Sequence, residues 1–110
     1  MLRAVIFFAI LSVACAASAA AQDAKTQGAK VFADQKCALC HSVGGKGNAK
    51  GPMEEALSQL SDDEIRAWIT DAKGMTEKTK ATRKPPMKEF KLPKRDVDAL
   101  VAYLSSMKKK

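Results

Sequence analysis

Small and apolar residues recur at helical spacing in several stretches of the chain, with charged residues between them. The first stretch follows Asp23, which can cap a helix at its beginning. Its stripe consists of Ala24, Gly28, Val31, Phe32 and Gln35. A second stretch opens with a capping-box pattern from Ser61 to Glu64. Its stripe, which predicts a helix ending near Gly74, is Ile65, Trp68, Ile69 and Ala72.

The last helix is predicted to begin at Pro93, because proline is well tolerated in a first helical turn. Its apolar stripe consists of Val97, Leu100, Val101 and Leu104. A shorter helix is predicted after Pro52. Two segments lack a helical period and are predicted to be loops: residues 42–52, which are rich in glycine, and residues 75–92, which contain two adjacent prolines. No stretch shows a convincing strand pattern, so the sequence predicts an all-α domain.

Residues 1–21 resemble a secretory signal peptide, with a basic start at Arg3, an apolar stretch and small residues before Gln22. The apolar stretch is shorter than the roughly 20 residues that a membrane-spanning helix needs, which disfavours an uncleaved anchor. Cys15 raises the alternative of a lipoprotein, which Ser12 disfavours because such signals usually place an aliphatic residue there. We therefore expect residues 22–110 to form one exported domain located in the periplasm.

The 110-residue chain has a formal net charge of +7, and this charge is unevenly distributed. Residues 22–72 contain six basic and eight acidic side chains, whereas residues 73–110 contain twelve basic and four. A basic half of this kind can steer a protein toward acidic partner surfaces. The alternative is that these lysines are only a solvated surface.

The run Cys37-Ala38-Leu39-Cys40-His41 is the motif by which a c-type haem is attached to a protein. In that interpretation Cys37 and Cys40 form thioether bonds to the porphyrin, and His41 is the proximal iron ligand. A zinc site would need further protein ligands, but the chain has a single His and a third Cys only at position 15. A thioredoxin-like pair would need an adjacent βαβ pattern, which is absent from the sequence.

The second axial ligand decides between electron transfer and binding of an external ligand. Because His41 is the only histidine, the remaining candidates are the lysines and Met53, Met75, Met87 and Met107. Met87 follows Pro85 and Pro86, whose fixed φ angles would stiffen the backbone that presents the thioether. Met75 is the second choice. Met53 and Met107 are expected to be packing residues on amphipathic helices.

The order of these features resembles the class I cytochromes c, in particular the small bacterial monohaem type. The resemblance covers most of residues 22–110. It rests on the CxxCH motif, Gly51-Pro52, a helix with a tryptophan, a Pro-Met segment and a last helix that contains Asp98-Ala99-Leu100-Val101-Ala102-Tyr103-Leu104. It implies about four helices around one covalently bound haem c.

The resemblance also implies roles for individual residues. Met87 would be the distal iron ligand, and the Pro52 carbonyl would accept the Nδ1 proton of His41. Trp68 would line the haem pocket. Where the first and last helices cross, Gly28 and Phe32 would meet Leu100 and Tyr103.

These features predict a monomeric, periplasmic one-electron carrier and not an enzyme. The carrier is expected to exchange electrons with a reductase and an oxidase through their acidic surfaces. Nucleic-acid binding and stable membrane insertion after signal cleavage are not expected. A dedicated haem subunit of a larger periplasmic oxidoreductase is the main alternative. A gas sensor or peroxidase is a third possibility and would require an open or labile distal position.

Overall fold

The structure is a computed structural model and describes residues 11–109. These residues are mostly helical, as predicted. The elements in chain order are α1 (Leu11–Asp34), a 3-10 turn (Cys37–Leu39), β1 (Ser42–Val43), β2 (Lys46–Gly47), α2 (Glu54–Ser58), α3 (Asp62–Thr70), α4 (Ala72–Thr79) and α5 (Lys94–Ser106).

Helices α1 and α5 cross in close contact, and the crossing depends on Gly28. A Cβ atom on Gly28 would lie 2.1 Å from the Ala99 carbonyl oxygen and 2.5 Å from the Tyr103 Cβ. One turn further along α1, the Phe32 ring meets the Tyr103 ring edge to face, with 5.9 Å between the ring centroids. Gly28 and Phe32 therefore both contact Tyr103 at the crossing, in line with the resemblance.

The hydrophobic core is built on this crossing and extends to α3. Its buried residues come from α1, β1, α2, α3 and α5: Val31, Phe32, Val43, Leu57, Ile65, Ile69, Val97, Leu100, Val101 and Leu104. The α5 members are those of the predicted apolar stripe. The apolar spacing of the last helix therefore identified the face that is buried.

The boundary after α3 differs from the prediction. The capping box at its start is present, since the Ser61 hydroxyl accepts a hydrogen bond of 3.1 Å from the Glu64 amide. The helix ends at Thr70, however, because Asp71 leaves the helical conformation and its side chain caps α4 through a 3.2 Å bond from the Gly74 amide. The predictions of a helix ending near Gly74 and of a loop beginning at Met75 are therefore wrong.

The glycine-rich segment 42–52 was predicted to be a loop, but it contains a short hairpin. Ser42 pairs with Gly47 and Val43 with Lys46 in antiparallel register. Gly44 and Gly45 form the turn with φ values of 62° and 77°. Two consecutive residues with positive φ match the twist of a tight hairpin, and glycine adopts them without strain.

Helix α1 begins before the predicted start. Asp23 lies inside the helix and not at its cap, because the preceding alanine-rich residues are strong helix formers. The expected signal peptide, residues 1–21, lies partly outside the described residues, and its cleavage stays a prediction. Within residues 11–109, no helix combines the length and apolar character that a membrane span requires.

Replacing Gly28 by Ala is expected to lower the free energy of unfolding by about 2 kcal/mol, because the new methyl group forces the two helix backbones apart. Denaturant unfolding of the purified protein measures this loss. Lys25→Ala, at an exposed site on the same helix, is the control and should change stability by less than about 0.5 kcal/mol. Equal stability of the Gly28→Ala variant and the native protein would show that the crossing is not tightly packed.

Candidate functional site

An apolar pocket lies where α1 ends, between α3, α5 and the segment that follows α4. It brings together three of the predicted site residues, Cys37, His41 and Met87, which are far apart in the sequence. The complete lining is Phe32, Gln35, Cys37, His41, Met53, Ile69, Met87, Phe90, Leu100 and Leu104.

The two thiols and the imidazole lie on one tight turn directly after α1. Lys36 reverses the chain in the left-handed conformation with a φ of 59°. The amides of Cys40 and His41 then both donate to the Cys37 carbonyl, at 3.2 and 3.0 Å. Cys37 is half-buried, and burial raises the pKa of its thiol. Cys40 is exposed, and both cysteines are free.

Asn48 holds this turn in place, a role that was not anticipated from the sequence. Its amide contacts the carbonyls of Ala38 at 3.0 Å and His41 at 3.2 Å. Its side-chain Nδ2 donates to the Leu39 carbonyl at 3.0 Å, while Oδ1 accepts from the Lys50 amide at 2.9 Å. Asn48 alone thus donates hydrogen bonds to three carbonyls of the motif. An asparagine in a glycine-rich segment is a usual turn residue, which was the available signal.

The segment that contains Pro52 runs beside the motif. The Ser42 amide donates to the Gly51 carbonyl at 2.8 Å, and the Met53 amide donates to the Ser42 carbonyl at 3.0 Å. Pro52 is thereby bridged to the residue that follows His41. A hydrogen bond from His41 Nδ1 to the Pro52 carbonyl is not among those that the described residues form, so this contact stays a prediction.

The surroundings of His41 favour the neutral form of its imidazole. It is half-buried and lines the pocket. Burial lowers the pKa of His41, and the positive charge of Arg83 lowers it further. A neutral imidazole keeps one nitrogen lone pair free for a metal ion.

Met87 reaches the pocket from the segment between α4 and α5. Two exposed prolines precede it, and its own side chain is half-buried. The segment is tied to the core by the Phe90 amide, which donates to the Ile69 carbonyl at 3.0 Å. Phe90 also lines the pocket, and the Lys88 ammonium lies 5.1 Å from its ring centroid. Phe90 was not among the predicted site residues, since no periodic pattern marks it.

The other methionines are placed differently. Met75 is buried in α4 and is not among the residues that line the pocket. Met107 packs against the core from the end of α5. Met53 does line the pocket, in addition to the packing role that was expected. The structure thus leaves Met53 and Met87 as the two thioethers at the pocket.

Trp68 lies on α3 and is half-buried. The pocket is lined by its neighbour Ile69, whereas Trp68 is not part of the lining. Its predicted contact with a haem therefore stays a prediction.

The donor set and the walls of the pocket fit a haem. The lining offers the His41 imidazole, the Cys37 thiol and two thioethers, and the exposed Cys40 lies at the CxxCH spacing on the same turn. Imidazole and thioether are axial ligands of haem iron, and the thiols can anchor the porphyrin covalently. The remaining side chains are mainly aromatic and aliphatic, which suits an apolar macrocycle.

Replacing Asn48 by Ala is expected to destabilise the holoprotein by about 1 kcal/mol, because the Leu39 carbonyl and the Lys50 amide lose their side-chain partner. Guanidinium denaturation, followed through the visible absorption, measures the change. Lys50→Ala removes an exposed side chain from the same turn and should have little effect. If both variants unfold at the same denaturant concentration, the Asn48 side chain does not support the motif.

The sequence matches the Cytochrome c family over residues 26–108. Cytochrome c oxidase subunit 2 of Alkalihalophilus pseudofirmus is 34% identical over 91 residues, which cover 74% of this chain and 25% of that protein. The chain thus spans about a quarter of the length of this relative. No solved structure gives a significant match. The chain therefore belongs to the Cytochrome c family, whose all-α fold carries covalently bound haem c.

Proposed function

We propose that this protein is a periplasmic one-electron carrier in which Cys37 and Cys40 anchor the haem and His41 and Met87 hold its iron. The observation that carries the proposal is that His41 and Met87 line the same apolar pocket. A haem bound there supplies reversible one-electron chemistry at its iron. The chain's own residues have two tasks, which are to occupy both axial positions and to exclude water.

Met87 is favoured over Met53 as the distal iron ligand because the backbones of the two residues are held in different parts of the site. The Met53 amide is bonded to Ser42, the residue directly after His41. Met53 therefore belongs to the same part of the pocket as the proximal ligand. Met87 comes from a separate segment, and two axial ligands must approach a metal from opposite sides. This arrangement favours Met87 as the distal ligand.

The same residues favour the reduced state of the carrier. A thioether raises the reduction potential relative to a second imidazole. The apolar side chains Phe32, Leu100 and Leu104 surround the site with a low dielectric, which disfavours the more highly charged ferric centre. A comparatively high potential is the expected result.

Replacing Met87 by Ala is expected to abolish the sulfur-to-iron absorption band of the ferric protein and to let carbon monoxide bind the ferrous protein. Both changes follow from an emptied distal position. Met53→Ala and Met75→Ala are matched controls and should keep the band. Survival of the band in Met87→Ala, or its loss in Met53→Ala, would move the distal ligand away from Met87.

The proposed location rests on the leader-like residues 1–21 and on the chemistry of haem attachment, which takes place outside the bacterial cytoplasm. The mass of the protein isolated from cells tests this point. A mature chain starting near Gln22 supports export, and a full-length chain without haem contradicts it.

A basic surface next to Met87 supports docking to acidic redox partners. We call it the basic loop. It comprises the exposed residues Lys80, Arg83, Lys84, Lys88 and Lys91. One acidic residue, Glu89, interrupts it. Leu39 lies beside the attachment site and is 70% exposed, which adds an apolar contact. A charged rim around an apolar patch is typical of transient protein interfaces.

The electron-transfer rate with an acidic partner is therefore expected to fall at least about tenfold as the ionic strength is raised from low to physiological levels. Stopped-flow mixing with a purified partner measures this dependence. Lys88→Gln should reduce the salt dependence, whereas Lys25→Gln on α1 should not. A rate that is independent of salt would show that the basic loop does not steer encounters.

A second function is favoured by the oxidase subunit that matches this chain. In that case the protein would be a haem subunit that passes electrons to one fixed catalytic partner. A free carrier elutes as a monomer in gel filtration of a native extract. A dedicated subunit elutes together with a larger oxidoreductase, and this result would replace the first proposal by the second.

A further inference from the structure

Arg83 connects the two segments that carry the proposed iron ligands. Its guanidinium Nη2 donates a hydrogen bond to the carbonyl oxygen of Cys40, the residue before His41. Arg83 itself lies four positions before Met87. One side chain thus joins the turn of the proximal ligand to the segment of the distal ligand.

The Arg83 guanidinium packs against the backbone of Gly51, where no side chain stands in its way. A Cβ atom on Gly51 would lie 2.1 Å from the Cys40 carbonyl oxygen and 2.5 and 2.7 Å from the two terminal nitrogens of Arg83. Any side chain at this position would therefore compete with the guanidinium for the same space. The Gly51 backbone is itself held by two hydrogen bonds. Its amide donates to the Asn48 carbonyl at 3.0 Å, and its carbonyl accepts from the Ser42 amide at 2.8 Å.

The chain between Arg83 and Met87 is stiff, so that holding Arg83 in place also restricts the position of Met87. Two of the three intervening residues are Pro85 and Pro86, whose rings fix the backbone φ angles. On the other side of Met87, the bond from Phe90 to Ile69 holds the chain to α3. Met87 therefore lies between two anchors, and Arg83 supplies the one on its N-terminal side.

We propose that Arg83 is a positioning residue that keeps the Met87 thioether on the iron. This inference rests on the proposed function. A thioether is a neutral ligand without charge attraction to the metal, so its retention depends on how firmly its segment is held. The Arg83 hydrogen bond is charge-assisted, and such bonds are stronger than neutral ones. Without it, a larger fraction of molecules has an open distal position.

Titration of the ferric holoprotein with imidazole measures this fraction. Imidazole binds only where Met87 has left the iron, so its apparent affinity scales with the open population. Arg83→Gln is expected to bind imidazole roughly tenfold more tightly than the native protein, since a hydrogen bond from a charged group is worth about one power of ten. Arg83→Lys keeps the charge but loses the planar fork, and roughly a threefold increase is expected.

Lys84→Gln is the matched control, because it removes the same charge from the adjacent position of the basic loop. Its imidazole affinity should stay within about twofold of the native value. Thermal unfolding and haem content of each variant show whether it is folded and loaded. If Arg83→Gln does not accumulate, Arg83→Lys carries the test alone. Native affinity in the accumulating Arg83 variants, or an equal effect in Lys84→Gln, overturns the proposal.

A double variant shows whether Arg83 acts through Met87. In a Met87→Ala background, adding Arg83→Gln should leave the imidazole affinity unchanged within about twofold, because no thioether remains to be positioned. A persisting tenfold effect would mean that Arg83 acts on the pocket in another way, and the proposal would fail. The ligand assignment fails separately, if Met87→Ala alone keeps the sulfur-to-iron band.

Discussion

The contact between α1 and α5 at Gly28 is the constraint on which the site depends. Because glycine has no side chain, the α1 backbone lies directly against the Ala99 carbonyl. This contact fixes the course of α1 beside α5, and the turn with the CxxCH motif begins at Cys37, three positions after α1 ends at Asp34. The same α5 surface supplies Leu100 and Leu104 to the pocket. One helix crossing thus positions both the turn that carries the proposed proximal ligand and two residues of the pocket lining.

The proposed haem ligands and anchors lie outside the α-helices, and hydrogen bonds tie their segments to the helical frame. Asn48 supports the turn of the CxxCH motif, and Phe90 ties the Met87 segment to α3. Arg83 connects the two segments directly. An electron carrier benefits from this arrangement, because a site that changes little between two oxidation states has little to reorganise. The helices supply rigidity, and the segments between them supply the thiols, the imidazole and the thioether.

The sequence predicted what is encoded locally. The CxxCH spacing, the Ser61 capping box and the apolar stripe of α5 each occupy a few turns of chain, and the structure contains all of them. It did not predict the break at Asp71. An aspartate can lie inside a helix or cap the start of one, and which of the two occurs depends on how α3 and α4 pack. The hairpin at Gly44 and the Arg83 contact with Cys40 were also missed, because each depends on partners brought close only by folding. The early start of α1 was missed for a different reason, since Asp23 carries a cap signal that the alanine-rich residues before it override.

The central claim is that a covalently attached haem has both axial positions filled by the chain. The visible spectrum of the purified protein, recorded oxidised and reduced with and without carbon monoxide, tests it most directly. The account predicts the absorption of a c-type haem, a sulfur-to-iron band in the oxidised protein and a reduced spectrum that carbon monoxide does not change. A colourless protein, or one that binds carbon monoxide at full occupancy, would contradict it.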